Sequence, residues 1–115
     1  MTMNEAFTLP PAFSVDPPSL YGSFDPETGQ TYFPPRPLSV DGRLRRLDVV
    51  PLDSEGVLSS FTAMGPAVYG QVDLPSKVRI LATLSPGEYT LGDRCRLEIV
   101  PGVEGKPDSW RFTHA

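Results

Sequence analysis

The sequence predicts an all-β protein. Its 115 residues include 14 prolines and 10 glycines, and helix interiors tolerate neither residue well. No segment keeps a helical spacing of apolar residues for more than two turns. Instead, short segments rich in β-branched and aromatic residues alternate with turn-forming residues. Their order and spacing fit a hairpin followed by five or six strands, which indicates a small Greek-key barrel of the OB-fold type.

The N-terminal segment, residues 1–18, alternates prolines with single aromatic residues and shows no sustained period. This pattern predicts an extended arm. Its apolar side chains, Phe7, Leu9 and Phe13, are then available to lie on a surface of this chain or of a partner.

A β-hairpin is predicted over residues 19–42, where "SLYGSF" and "QTYF" flank the turn "DPETG". Asp25-Pro26 suits the start of a type I turn, and Gly29 supplies the positive φ that closes such a loop. The prolines that follow end the pairing. Because an isolated two-stranded hairpin is marginal in water, we expect the barrel and a partner protein to stabilise it.

The barrel is predicted over residues 43–115. Its strands are "LRRLDVVPL", "GVLSSFTAM", "AVYGQVDL", "KVRILATL", "RCRLEIV" and "SWRFTH". The linker "SPGEYTLGD" lies between the fourth and fifth of these strands. A barrel buries alternate residues. The core predicted in this way consists of Val49, Leu58, Phe61, Val72, Ile80, Ala82, Leu97 and Ile99.

The charge distribution argues against several classes of function. The net charge is −4, which provides no basic field for nucleic acid. The one cationic cluster, Arg43, Arg45 and Arg46, is interleaved with leucines and is interpreted as the exposed side of a strand. No apolar run is long enough to span a membrane, and no signal peptide is recognised. We therefore predict a cytoplasmic protein with no membrane and no nucleic-acid partner.

Catalytic patterns are absent from the sequence. Cys95 alternates with Leu97 and Ile99 and is therefore predicted to be a small buried apolar residue. A catalytic cysteine would need a base, and the only histidine, His114, lies one residue from the C-terminus. The acidic residues of Asp53-Ser54-Glu55-Gly56 are better explained as a turn than as paired catalytic carboxylates. We expect no catalytic residue, no cofactor and no metal.

Several segments resemble a known family when they are taken in order between Leu20 and Phe112. The most specific are "FPPR" at 33–36, "SFT" at 60–62 and "LGD" at 91–93. Together they are similar to the zinc-ribbon/OB-fold family called domain of unknown function thirty-five. The resemblance implies a ribbon hairpin followed by an OB-fold barrel. It also implies a non-catalytic, hetero-oligomeric partner of a thiolase-fold enzyme that acts on acyl-CoA thioesters: a thiolase, an acyltransferase or a steroid side-chain aldolase.

The sequence departs from this family at the metal site. The family's ribbon carries a Cys-x-x-Cys-Gly knuckle on each side of the "FPPR" segment. Here the first knuckle falls on Asp25 and Thr28, and the second falls on Ser39 or a neighbour and on Asp41 or Gly42. A closed zinc site needs four thiolate or imidazole ligands, and carboxylates alone hold zinc poorly. The hairpin is therefore predicted to be metal-free.

The partner-binding residues are predicted to be Tyr32, Phe33, Pro34, Pro35 and Arg36. Aromatic residues and arginine are favoured at interface hot spots, and the prolines stiffen the segment. For Phe33, plugging one end of the barrel is an equal alternative. Arg36 has a second interpretation, in which it contacts a CoA phosphate at the shared interface.

A different class of function also fits the pattern. The chain is either an accessory subunit of an acyl-CoA enzyme or a free-standing OB-fold module that binds single-stranded nucleic acid or a small ligand. Trp110 and Phe112 alternate on the last strand, where OB-fold aromatics can stack on a ligand. Closing the barrel is the preferred interpretation of this pair. An independent enzyme has no support in the residues.

Overall fold

The computed structural model describes residues 12–39 and 45–115. Within these ranges the chain forms nine strands and no helix, so nothing there resembles a membrane-spanning helix. The strands make a small four-stranded sheet and a closed barrel. In chain order they are β1 (Phe13–Val15), β2 (Pro18–Phe24), β3 (Thr31–Tyr32), β4 (Asp48–Pro51), β5 (Glu55–Met64), β6 (Ala67–Asp73), β7 (Arg79–Leu84), β8 (Arg94–Val100) and β9 (Ser109–His114).

The barrel closes in the order β5-β6-β7-β9-β8. All of its pairings are antiparallel except β7 with β9, which is parallel. The long strand β5 pairs with β8 through its first residues and with β6 along most of its length, and a register shift lies between Leu58 and Ser60. Such a bulge bends the strand, so that one strand can pair with two different neighbours. The predicted all-β architecture with a five-stranded OB-fold barrel is confirmed.

The barrel core follows the predicted alternation along most strands. Five of the predicted core residues are buried: Leu58, Val72, Ile80, Ala82 and Leu97. Ile99 is half-buried. Two predictions are wrong, because Val49 is 49% exposed and Phe61 is 41% exposed. Phe61 lies beyond the register shift in a part of β5 where every residue from Ser60 onward is exposed.

The small sheet is organised around β2. Strand β1 pairs with the first half of β2, and β3 pairs with its end. Strand β4, which the sequence placed in the barrel, pairs instead with β2 through the register Gly22↔Val50. This pairing explains the exposure of Val49, which is not part of the barrel wall. The last part of the predicted N-terminal arm forms β1, while residues 1–11 lie outside the described ranges.

The small sheet and the barrel share one apolar core. Leu20 and Leu52 are buried together with the barrel residues, and Phe13, Phe33 and Val50 pack against the same cluster. Close approach at Gly22 makes this possible, because a Cβ there would lie 2.6 Å from the Tyr32 carbonyl oxygen and 2.9 Å from a Leu52 methyl carbon. Only glycine fits such a position without displacing backbone. The ribbon-like sheet is therefore fixed on the barrel by packing.

Candidate functional site

The Tyr32–Arg36 segment begins at the last residue of β3 and is bound to β2 by one hydroxyl group. Ser23 is completely buried. Its Oγ donates a hydrogen bond to the Arg36 carbonyl oxygen at 2.6 Å and accepts one from the Arg36 backbone N–H, also at 2.6 Å. Because the same hydroxyl satisfies both backbone groups of Arg36, it fixes the end of the segment on the sheet.

Two residues of the segment face inward. The Phe33 ring meets the Trp110 ring edge-to-face, with centroids 5.8 Å apart and an interplanar angle of 84°. Trp110 makes a similar contact with the fully buried Phe112 at 6.3 Å. Pro35 is buried as well. Phe33 thus packs on the barrel, as in the plug interpretation, and Trp110 and Phe112 are used for packing.

The other three residues of the segment form its outer surface. Pro34 is exposed, and Tyr32 and Arg36 are half-buried. The Arg36 guanidinium lies over the Tyr32 ring, 5.0 Å from its centroid, which is a cation–π contact. The Tyr32 hydroxyl donates to Gln30 Oε1 at 2.6 Å. Arg36 Nε is buried and has no hydrogen-bond partner among the described residues. We call Tyr32, Pro34 and Arg36 the outer triad.

The predicted knuckle positions are engaged by an arginine. Asp25, at the end of β2, is only 2% exposed. Arg45 donates from Nη1 to Asp25 Oδ1 at 2.6 Å and from Nη2 to Oδ2 at 3.0 Å. The Arg45 hydrogen bond outweighs the opposing effect of burial, and with the backbone N–H of Glu27 it lowers the pKa of Asp25 from 3.8 to about 2.

The second knuckle is bound to the same arginine. Ser39 is buried, its N–H donates to the Arg45 carbonyl oxygen at 2.8 Å, and its Oγ accepts from the Arg45 N–H at 3.1 Å. Arg45 Nε also lies 3.0 Å from a Glu27 carboxylate oxygen. The exposed-strand interpretation of Arg45 is therefore wrong: its side chain is 22% exposed and ion-paired.

These residues do not fit a zinc ion. The Asp25 carboxylate is already held by a guanidinium, and a hydroxyl such as that of Ser39 is not among the usual zinc ligands. No cluster of three or more histidine, cysteine or acidic side chains suited to a metal occurs in ranges 12–39 and 45–115. The remaining predicted position, Asp41 or Gly42, lies outside the described residues.

Comparison with known proteins bears on this fold. No protein-family model and no curated protein matches the sequence. A similar solved structure is described as the "Ltp2-ChsH2(DUF35) aldolase", with 16% identity, a TM-score of 0.68 and coverage of 84% of each chain. The chain has a DUF35-like fold. That part of the family resemblance is confirmed, and at this identity the likeness concerns the fold alone.

Within the DUF35-like fold, Cys95 is packed in the core, whereas His114 is exposed and stacks on an aromatic ring. Cys95 is fully buried, and burial raises the pKa of its thiol, which makes a thiolate nucleophile unfavourable. Its Sγ contacts the Asp93 carbonyl oxygen at 3.9 Å. The His114 ring stacks on Tyr89 at 4.2 Å, and His114 Nε2 lies 3.3 Å from Asp93 Oδ2. The buried position predicted for Cys95 is confirmed.

A shallow groove of about 510 Å³ runs over the outer face of β5, β6 and β7. Tyr69 and Leu81 project there as exposed apolar side chains. The remaining lining residues are uncharged, and neither lysine nor arginine is among them. This is the face on which OB-folds bind oligonucleotides and oligosaccharides. The outer triad and this groove are two candidate binding surfaces within the described part of the chain.

The sequence missed the residues that support the segment. Ser23 stands in a strand of mixed burial, where nothing local distinguishes it from a solvent-facing serine. Arg45 lies 20 residues from Asp25, and its arginine neighbours suggested an exposed position. The aspartate at the first lost cysteine position, Asp25, was the available signal that a cation from elsewhere in the chain is needed.

Proposed function

We propose that this chain is a non-catalytic accessory subunit of a thiolase-fold enzyme that acts on acyl-CoA thioesters, and that it docks on this enzyme through the outer triad. The observation that carries the proposal is a stiff Tyr–Pro–Arg surface that is held from the inside. Phe33 and Ser23 fix the segment from below, while Tyr32, Pro34 and Arg36 face outward.

Such a surface suits binding for two reasons. A segment that is already fixed loses little conformational entropy when a partner binds. Tyrosine and arginine are also the residues that most often dominate interface energies. Within ranges 12–39 and 45–115, nothing accepts a hydrogen bond from the buried Arg36 Nε, and a carbonyl or carboxylate oxygen from a partner would do so.

The similar solved structure supports the class of partner. Its description names an aldolase with a DUF35 component, and the resemblance seen in the sequence implies thiolase-fold enzymes as partners. The catalytic groups then belong to the partner, consistent with the burial of Cys95 and the stacking of His114 on Tyr89. In this arrangement the chain stabilises its partner and helps to form the acyl-CoA entrance, and Arg36 is placed to contact a CoA phosphate.

The groove on the outer face supports a second candidate function, a free-standing OB-fold module that binds a small ligand. Tyr69 offers an aromatic platform there. The absence of lysine and arginine from the groove lining disfavours single-stranded nucleic acid, which is bound through cationic grooves. Titration with an oligonucleotide at low and high salt distinguishes the ligands, because phosphate contacts make binding strongly salt-dependent.

The proposal is tested by measuring the affinity of this chain for a thiolase-fold subunit of the same organism, with matched variants. Tyr32→Ala and Arg36→Ala should each weaken binding by about 2 kcal/mol, roughly thirtyfold, and should lower the enzyme's activity on acyl-CoA. Tyr69→Ala, at an exposed tyrosine in the groove, should leave both unchanged. Loss of binding only in Tyr69→Ala would contradict docking through the outer triad.

A further inference from the structure

Two loops of the ribbon meet at a single side chain. The first is the turn over 25–30, closed by hydrogen bonds from the Gly29 N–H to the Asp25 carbonyl and from the Asp25 N–H to the Gln30 carbonyl. The second brings 37–39 alongside 45–47 through hydrogen bonds such as Leu47 N–H to Pro37 O at 3.0 Å. Arg45 belongs to the second loop, and its guanidinium reaches into the first.

We propose that the Arg45 guanidinium is the structural cation of this ribbon. Its bidentate ion pair with Asp25, which we call the clasp, holds the two loops together. This is the structural role that a bound metal has in a zinc ribbon. The proposal rests on the isolated chain and does not depend on the proposed function.

The geometry of the pair favours a structural role over an incidental surface contact. A buried carboxylate is strongly unfavourable unless it is paired and hydrogen-bonded. Asp25 meets this requirement through two parallel N–H···O bonds from Arg45 and a third bond, at 3.0 Å, from the Glu27 backbone N–H. A planar fork of fixed donors fits a carboxylate in a way that the ammonium of lysine does not.

The position of the clasp along the chain connects it with the outer triad. The turn over 25–30 immediately precedes the Tyr32–Arg36 segment, and Ser39 follows shortly after it. A bond between the two loops therefore closes the chain around the segment and limits its freedom. Since the cation is covalently part of the chain, it cannot be removed by a chelator. Acid, which protonates Asp25, is the condition that opens the clasp.

Hydrogen exchange of single amides tests this proposal. The reporters are the N–H groups of Asp25, Gly29 and Leu47, whose bonds close the two loops. In Arg45→Met and in Asp25→Asn we expect these amides to exchange at least about tenfold faster, because either change leaves an uncompensated partner. The exchange rates of barrel amides such as that of Ile80 should not change. Unchanged rates there would show that the variants keep the barrel fold.

The matched control is the exposed pair of Arg79 and Asp73. Its shortest N–O distance, 2.7 Å between Arg79 Nε and Asp73 Oδ1, is close to the 2.6 Å of the Arg45–Asp25 pair, but its side chains are 59% and 41% exposed. Arg79→Met should leave all the reporter amides unchanged, because exposed pairs contribute little. Equal exchange rates in Arg45→Met and Arg79→Met would overturn the proposal. Faster exchange that extends to the barrel amides in both Arg45→Met and Asp25→Asn would overturn the assignment of the clasp to the ribbon.

Metal analysis supplies an independent arm. The unmodified protein should contain no stoichiometric zinc, and EDTA should leave the reporter amides unchanged. Added zinc should not slow exchange in Arg45→Met. About one zinc per chain, with faster exchange of the reporter amides after its removal, would show that a metal and not Arg45 is the structural cation.

Discussion

Removing the Ser23 hydroxyl is expected to loosen the Tyr32–Arg36 segment without touching its surface. Ser23 Oγ makes two hydrogen bonds of 2.6 Å to the backbone of Arg36. A typical hydrogen bond contributes about 0.5–1.5 kcal/mol net, so the pair contributes about 1–3 kcal/mol. Arg36 is half-buried, and water can replace part of this. We therefore expect Ser23→Ala to lower the free energy of unfolding by about 1–2 kcal/mol.

This loss is measurable by urea and thermal unfolding. For a domain of this size, about 1 kcal/mol corresponds to a shift of about 4 °C in Tm, so Ser23→Ala should melt about 4–8 °C lower. The control is Ser59→Ala, which removes a half-buried hydrogen bond of 3.2 Å to the Gln71 carbonyl and a polar contact with the partly exposed Asp73 carboxylate. It should lower Tm by no more than about half as much.

A functional measurement completes this test. Ser23 is completely buried and is not part of the outer triad. Removal of its hydroxyl should nevertheless weaken binding to the thiolase-fold subunit, because the outer triad is then less well fixed. If Ser23→Ala and Ser59→Ala had equal Tm values and unchanged affinity, the reasoning that this hydroxyl holds the segment would be refuted.

Three further predictions concern the ribbon and the barrel. The pKa of Asp25 is lowered from 3.8 to about 2, so its contribution to stability is complete above about pH 4 and is lost as pH falls towards 2. An acid titration followed by Trp110 fluorescence should show this transition. The Asp25→Asn variant should not show it. Phe33→Ala removes the contact with Trp110, so the fluorescence emission of Trp110 should shift to the red and the free energy of unfolding should fall by about 2 kcal/mol. An unchanged emission spectrum would contradict the contact. Val72→Ala, at a fully buried site, should lower the barrel's free energy of unfolding by about 2 kcal/mol. Denaturant unfolding followed by circular dichroism should show a lower midpoint, and an unchanged midpoint would contradict this prediction.

Local patterns were sufficient to predict most of the barrel. Alternation of apolar residues marks β6, β7 and β8, where Val72, Ile80 and Leu97 are buried as predicted. The turn at Gly29, with φ of 76°, was also recognisable from its residues. These features depend on neighbours in sequence, so a single sequence contains the information.

Long-range pairings were not predictable in this way. Strand β4 has the composition of a barrel strand, and only its register with Gly22 on β2 places it in the small sheet. Phe61 fits the apolar period, but the bulge before it carries it out of the core. Arg45 and Asp25 are far apart in sequence, and no periodicity relates them. The Tyr32–Arg36 segment was predicted as a binding site from its own residues, whereas the contacts that support it come from distant residues such as Ser23.

The central claim, docking of the chain through its outer triad, is tested most directly by hydrogen exchange of this chain in its complex with the thiolase-fold subunit. Protection should concentrate on the amides of Gln30, Thr31, Tyr32, Phe33 and Arg36. The amides of Tyr69, Gln71 and Leu81, on the outer face of the barrel, should exchange as in the free chain. Protection confined to that outer face, with the Tyr32–Arg36 segment unchanged, would contradict the account.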